Sequence, residues 1–455
     1  MLDIKTDTKI QLPQKVKFIL EKLAGHGYEA YAVGGCVRDS LLGRIPKDWD
    51  ITTSALPLQV KALFPRTIDT GLAHGTVTVM LGREGYEVTT YRIDGEYTDA
   101  RHPREVIFTP SLLEDLKRRD FTINAMAYNE QDGLADAFDG AGDLRRGIIK
   151  CVGNPADRFR EDALRMLRAV RFAAQLGFGI ENQTQNAIKE LAGNLKKISA
   201  ERIQAELVKL AVSPHPERMR DLYELGISRM ILPEFDSMME TEQNHPHHCY
   251  SVGEHTIYSM QNTGPDKVLR LAMLFHDIAK PSCMTTDADG TSHFHGHPEK
   301  SALLAEKIFR RLKFDRSTMD AVCALVRWHD YNPPLSERDI RRAVRKVGLE
   351  QYPALFAVKR ADILAQSMYQ RTEKMEYLDE YERLYHLIQE KGDCLSLKQL
   401  AVTGRDIMEL GIRQGKEVGG ILNMLLDLVL ENPEKNERSF LLHKAREYMD
   451  EIHWI

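Results

Sequence analysis

Apolar and polar positions change their period part-way along this chain. Up to about residue 150, strand and helix periods mix. Glu29 to Val33 is a short apolar run ending at Gly34-Gly35, Val37 to Leu42 has helical spacing closed by Gly43, and Trp49 to Thr53 is predicted as a strand. Thr76 to Leu81 and Tyr86 to Arg92 are rich in β-branched and aromatic residues, and Gly82-Arg83-Glu84-Gly85 between them predicts an antiparallel hairpin. From Asp94 to Pro110 the chain is polar and pattern-free, broken by Gly95, Pro103 and Pro110, which predicts a mobile loop. Beyond residue 150 nearly everything reads as helix. Pro155 to Val212 is bracketed by Asn154-Pro155 and by Pro214 to Pro216, and a His-rich segment near His245 opens a further helical unit running to about Gln366. The remainder has polar-faced helical spacing, and no internal repeat stands out. The segments expected are 1–152, 153–240, 241–366 and 367–455, a mixed head followed by three helical parts.

Composition narrows this picture. At 455 residues the chain exceeds a single small core and favours about three domains. With 43% hydrophobic and 28% charged residues it is expected to fold throughout rather than remain disordered. Its six cysteines (Cys36, Cys151, Cys249, Cys283, Cys323, Cys394) form no CxxC pair and no disulfide framework. No signal peptide is recognised and no apolar run reaches the length of about 18 residues that a membrane span needs. A cytoplasmic protein without membrane contact is expected, and no obligate protein partner is evident. The net charge of −5 argues against a global basic field, so RNA contact would come from local patches: Arg158, Arg160, Arg165, Arg168 and Arg171, or Arg338, Arg341, Arg342, Arg345 and Lys346.

Candidate chemistry is densest between Tyr31 and Thr53. A Gly34-Gly35 turn between strand and helix lets backbone approach a phosphate, and the helix N-terminus adds free N–H donors, so Gly34, Gly35 and Arg38 are expected to hold a triphosphate. Asp48 and Asp50, two apart on the predicted strand, would project from one face and hold two Mg²⁺ or Mn²⁺ ions roughly 3.5 to 4 Å apart for phosphoryl transfer. Each feature is common by itself. Joined at this spacing they are far more specific. Glu87 on the facing hairpin strand could add a third carboxylate, but exposure on a strand is the preferred account of it, and only the two aspartates are assigned.

These residues carry a resemblance. Gly34-Gly35-Cys36-Val37-Arg38-Asp39 followed by Asp48-Trp49-Asp50, and then Arg118-Arg119-Asp120-Phe121-Thr122-Ile123-Asn124-Ala125, resemble motifs of the class II tRNA nucleotidyltransferase and bacterial poly(A) polymerase family. The resemblance covers at least the first 210 residues. It implies an α+β fold: a head related to the polymerase β palm, then a mainly helical neck, body and tail. It places Arg119, Asp120 and Asn124 near the incoming sugar and phosphates, with Asp120 partly structural. Glu161-Asp162-Ala163-Leu164-Arg165 resembles the family's base-selecting motif. Read as i,i+3 neighbours on one helix, Asp162 and Arg165 offer an acceptor and a forked donor able to mimic a Watson–Crick edge. The resemblance brings Arg168 and Arg171 to the nucleotide as well, whereas a plain amphipathic helix would explain the spacing without the upstream motifs. The stretches Tyr91-Arg92-Ile93-Asp94 and Asp99-Ala100-Arg101-His102-Pro103 resemble the family's flexible loop, linked to the switch from C to A addition, so trimming them is expected to stop synthesis after CC.

A second constellation begins at His255 and continues through His276-Asp277, His293, His295, His297 and His329 to Asp362. Imidazoles and carboxylates spread over several helices can converge on a divalent ion and leave room for water and phosphate. Leu274 to Lys280 resembles the central motif of the HD phosphohydrolase superfamily. That resemblance makes His255, His276, Asp277 and Asp362 the ligands of a second divalent-metal site, with His297 and His329 as further ligands or phosphate contacts. A helical body with hydrogen-bonded core histidines is the alternative.

The sequence is therefore expected to encode an enzyme that adds CCA to the tRNA 3′ end from CTP and ATP without a template. The alternatives are an A-adding enzyme or poly(A) polymerase, and, in another class, a metal phosphohydrolase working at the HD site. A non-catalytic RNA-binding protein is disfavoured by the intact Asp48 and Asp50.

Overall fold

A computed structural model describes residues 9–94, 106–412 and 415–452. The chain divides into two compact units, one formed by 1–236 with 311–313 and the other by 237–310 with 314–455. The boundary at 236/237 falls inside the segment 153–240.

In the first unit, α1 (Gln14–Ala24) buries Val16, Ile19, Leu20 and Leu23, a helical i, i+3, i+4, i+7 stripe. Strand β1 (Ala30–Val33) follows, then α2 (Gly35–Leu41), β2 (Ile51–Thr53), α3 (Pro57–Leu63), β3 (Thr67–Gly71), β4 (Thr76–Leu81) and β5 (Glu84–Thr90). Next come β6 (Arg92–Asp94), β7 (Val106–Phe108), α4 (Leu112–Lys117), β8 (Ala127–Asn129), β9 (Gly133–Ala135) and α5 (Gly140–Arg146). Seven strands form one sheet in the order β3-β4-β5-β2-β1-β8-β9. Its pairs are antiparallel except β2 with β5. The expected hairpin is present, with Leu81 opposite Glu84, so the turn narrows to Gly82-Arg83.

Two expectations need correction. The strand expected from Trp49 begins at Ile51, leaving Asp48 and Asp50 in the loop before it. The chain entering β2 is pinned at its last loop residue, where Val33 donates its N–H to the Asp50 carbonyl. The polar stretch after Asp94 is not wholly irregular either. Val106–Phe108 pairs with Arg92–Asp94, and the β-branched Val106 and Ile107 suit that ribbon. Residues 95–105, with the expected motif at Asp99 to Pro103, lie outside the described residues.

Tyr31, Val33, Tyr91, Leu116, Ala125, Ala127 and Val152 form a buried core that locks α4 and the Arg118–Ala125 segment against β1. After it, α6 (Pro155–Glu161) starts on an Asn154 side-chain cap with proline in the first turn, and α7 (Leu164–Leu176), α8 (Asn182–Leu191) and α9 (Ala200–Ala211) follow. Among the described residues, the second unit is helical apart from one short β-ribbon pairing Thr285–Thr286 with Ser292–His293. Its helices Val252–Gln261, Lys267–Phe275, Arg316–Trp328 and Tyr352–Ala365 surround the His-rich cluster.

Candidate functional site

In the head, Gly34 closes β1 with φ of 81°, a left-handed conformation, and a Cβ there would stand 3.1 Å from Arg119 Nη1. The guanidinium of Arg119 therefore lies against the turn that begins α2. Arg38 on α2 is buried, donates to Asn124 Oδ1 at 2.7 Å and pairs with Asp39 at 2.8 Å. Asn124 in turn donates to Asp120 Oδ1 at 3.2 Å, and Arg168 closes on Asp120 Oδ2 through Nε at 2.9 Å and Nη2 at 2.6 Å. Burial alone would push the Asp120 carboxyl up, but Arg168 overrides it and holds the pKa far below the ordinary carboxylate range. Arg38, Arg168 and Arg171 all lie over the Phe172 ring, at 5.2, 5.4 and 3.5 Å from its centroid.

Asp48 and Asp50 both remain accessible to solvent. The parallel register that sets Ile51 opposite Val88 brings Glu87 beside Asp50. Partial burial and then Glu87 raise the Asp50 pKa, Arg119 opposes this, and Asp48 adds to it. Asp48 and Glu87 beside Asp50 at an open edge, with Arg119 next to them, are a donor set suited to hard divalent cations.

The expected base selector is arranged differently from the i,i+3 pair on a single helix. Asp162 caps the end of α6 with φ −140° and ψ 103°, and α7 begins only at Leu164, so the chain is kinked between the two residues. The cause is local: Asp162 Oδ1 accepts from the Leu164 N–H at 3.1 Å, an arrangement that competes with helix continuation. Arg165 is clamped by Glu161 Oε2 at 2.7 Å and by the Arg118 carbonyl at 3.0 Å. Two partners escaped the sequence reading. Arg202 on α9 grips both oxygens of Asp162, at 3.2 and 2.7 Å, and the buried Glu206 accepts from Arg171 Nε at 2.7 Å. They lie 40 and 35 residues from their partners, beyond any local periodicity.

The first basic stretch is thus engaged mostly within the protein. The second is too: Arg341 is buried on Asp393 at 2.9 Å, Arg342 pairs with Glu431, and Arg345 with Asp427.

In the second unit the spread of histidines closes around Asp277. His276 Nε2 lies 3.2 Å and His255 Nε2 3.7 Å from Asp277 Oδ2, while His297 Nε2 lies 3.2 Å and His329 Nε2 3.7 Å from Oδ1. Asp362 joins from Tyr352–Ala365, its Oδ1 2.8 Å from His255 Nε2. All four Nδ1 atoms face backbone carbonyls, of Met273, Phe294, Val326 and Ala365, at 2.7 to 3.3 Å. A neutral imidazole that donates from Nδ1 to its carbonyl has its Nε2 lone pair facing inward, the form that binds a metal. Two Nε2 pairs meet at 3.3 Å, His255 with His276 and His297 with His329, and the buried Lys280 Nζ lies 2.7 Å from Asp277 Oδ2. Imidazole nitrogens and carboxylate oxygens converging from several sides form a donor set that fits a divalent metal. Burial and His276 push His329 down to about 3, keeping it a neutral donor. A cavity of about 710 Å³ opens over this floor, with Lys280, Lys359 and Lys374 in its wall. His293 and His295 stand on that wall, and His293 is paired with Asp287 at 2.5 Å, outside the convergent set.

Comparison with known proteins matches three stretches of the chain. Residues 30–150 match the Poly A polymerase head domain, 177–239 the probable RNA and SrmB-binding site of polymerase A, and 247–367 the HD domain. A relative from Lactobacillus helveticus (strain DPC 4571), a CCA-adding enzyme, is 36% identical over 440 residues, covering 95% of this chain and 96% of that one. The chain belongs to the CCA-adding enzyme family. It is accordingly a nucleotidyltransferase, with the divalent-metal use that such chemistry entails. A second family member, from Lactiplantibacillus plantarum (strain ATCC BAA-793 / NCIMB 8826 / WCFS1), is 54% identical over 209 residues, 45% of this chain and 51% of its own. Among solved structures, the Bacillus stearothermophilus CCA-adding enzyme in complex with CTP superposes with a TM-score of 0.74 at 31% identity, covering 97% of this chain and 99% of that one. The Thermotoga maritima CCA-adding enzyme complexed with tRNA_CCA shares the fold at 21% identity, with a TM-score of 0.56 over 96% of each chain. No helix among the described residues is long and apolar enough to cross a membrane.

Proposed function

We propose that this protein builds the CCA end of tRNA from CTP and ATP, one nucleotide at a time, without a nucleic-acid template. The observation that carries the reading is the crowding of Asp48, Asp50 and Glu87 beside the Gly34-Gly35 turn and Arg119, which sets a cation-seeking edge against a phosphate-seeking one. Mg²⁺ or Mn²⁺ held by Asp48 and Asp50 would supply charge neutralisation at the phosphates and a lower pKa for the attacking hydroxyl. Gly34, Gly35, Arg38 and Arg119 bind the triphosphate and orient its α-phosphate in line with the RNA 3′-hydroxyl, and pyrophosphate leaves as the new phosphodiester forms. Asp162 and Arg165 select the base. Asp120, Asn124, Arg168 and Arg171 buttress that pocket through the chain of pairs around Phe172. The working division is a head at 1–152, a neck at 153–240, an HD body at 241–366 and a tail at 367–455, acting in the cytoplasm.

The test uses tRNA transcripts ending before CCA, after C and after CC, with labelled CTP or ATP. Growth by CCA that then stops, and that Asp48→Ala abolishes, is the expected result. Addition of A alone to the CC end means an A-adding enzyme, and long A tails mean a poly(A) polymerase.

A second activity is favoured by the Asp277 cluster. His255, His276, Asp277 and Asp362 would hold a divalent ion, with His297 and His329 as further ligands, and the lysine-walled cavity would receive a phosphoester for hydrolysis. Loss of bound metal in His276→Ala is expected by elemental analysis, and unchanged metal content removes the reading.

A further inference from the structure

Asp115 is fully buried at its side chain, yet no reaction step described above employs it. It lies in the first turns of α4, three residues before the Arg118-Arg119 pair, and every lone-pair direction is engaged. Its Oδ1 accepts from Arg118 Nε at 3.0 Å, from Arg118 Nη2 at 2.8 Å and from the Arg92 backbone N–H at 3.4 Å. Its Oδ2 accepts from Thr52 Oγ1 at 3.1 Å and Arg119 Nη2 at 3.3 Å. One carboxylate thus ties together β2, which continues from Asp50, the start of the β6–β7 ribbon, and both guanidiniums of the Arg-Arg pair.

The grip on Arg119 matters most. Arg119 Nε is buried with no hydrogen-bond partner, so the side chain is not anchored there. With Nη2 held by Asp115, the opposite nitrogen, Nη1, is turned to the Gly34 backbone, 3.1 Å from where a Cβ would stand. A planar fork fixed at one tine has its other tine aimed.

We infer that Asp115 is a positioning residue that aims Arg119 at the Gly34-Gly35 turn and holds that aim in register with the strand following Asp50. The inference rests on the reading of Arg119 and the turn as the triphosphate cradle. Desolvation of Asp115 opposes its charge, but Arg119 and Arg118 outweigh burial and keep its pKa below the ordinary value, so it remains an anion at neutral pH. Removing the charge while keeping the shape frees Arg119 to rotate away from the turn.

The test is a double-mutant cycle on the full chain with Asp115→Asn, Arg119→Lys and the pair, reading KM for CTP and for tRNA separately. Each single variant is expected to raise the nucleotide KM by about tenfold and to leave the tRNA KM within about twofold, the scale of one mis-aimed charged contact. The double variant should be no worse than the more impaired single. A structural role would instead lower stability and shift both KM values together. Multiplied effects in the double variant, about a hundredfold, would show that Asp115 acts independently of Arg119 and overturn the inference. An unchanged nucleotide KM in Arg119→Lys would instead sink the cradle reading itself. Should Asp115→Asn fail to fold, Asp115→Glu takes its place in the cycle: it retains the charge on a longer arm and is expected to raise the nucleotide KM, and a wild-type value would count against the inference.

Discussion

Asp50 sits among charges of its own sign: burial first, then Glu87 and Asp48, raise its pKa against the pull of Arg119. That environment suits a metal ligand and offers little to stability, so Asp50→Asn is expected to fold normally while incorporation of CMP falls by at least about a thousandfold. Activity within tenfold of the parent would refute its assignment. Asp162 invites a different outcome, because Arg202 and the Leu164 N–H already occupy its oxygens. Asp162→Ala should lose discrimination between CTP or ATP and the other nucleotides in single-addition assays, and an unaltered preference would argue against it. Asp120 behaves oppositely to Asp50. Its folded pKa is depressed, so folding disfavours its protonation and its pairing with Arg168 contributes stability in full above the unfolded value of about 3.9. That contribution is lost as pH falls below about 4 toward the folded value. Thermal unfolding of Asp120→Asn across pH 3 to 6 should show a shallower acid-side decline than the parent, and equal slopes would contradict the argument.

The strand, turn and helix unit carrying Gly34 shows what an element adds to its residues. The left-handed φ of Gly34 and the nearby Arg119 exclude a side chain, and Gly34→Ala is expected to cost roughly 1 to 2 kcal/mol of stability and to weaken nucleotide binding as well. Denaturant melts and nucleotide KM together check this, since a turn needed only for folding would leave KM unaltered. The same unit was legible in the sequence because apolar run, glycine pair and helical spacing are adjacent. The start of β2 was misplaced because Trp49 and the flanking aspartates satisfy strand patterning, whereas ladder pairing begins only at Ile51. The break between α6 and α7 was missed for a related reason. Helical spacing continues through Asp162, but a side-chain bond to the backbone replaces the helical turn there.

At the scale of the whole molecule, the two compact units each hold one candidate site, the carboxylate edge in the first and the Asp277 cluster in the second. Independence is therefore expected. Asp48→Ala should retain the metal content of the second unit, and His276→Ala should retain nucleotide addition. Loss of both properties in either variant would mean that the sites depend on each other.

The sequence by itself determined the local chemistry: the Gly-Gly turn, the paired aspartates, the Arg-Arg-Asp segment, and the set of histidines with Asp277 and Asp362. Each is a short-range pattern whose residues are read directly from the chain. Tertiary structure decided which of those residues meet. Glu87 reaches Asp50 only through a strand register, Arg202 and Glu206 reach α7 only by helix packing, and the basic stretch at Arg341 to Arg345 is neutralised by acids some 50 to 90 residues away. Long-range pairing depends on how elements pack, and packing leaves no period in a single sequence. The same physics separates the convergent histidines from His293 and His295: His255 and His297 lie on helices and His276 and His329 directly follow helix ends that face Asp277, whereas His293 lies on the short ribbon and pairs with Asp287.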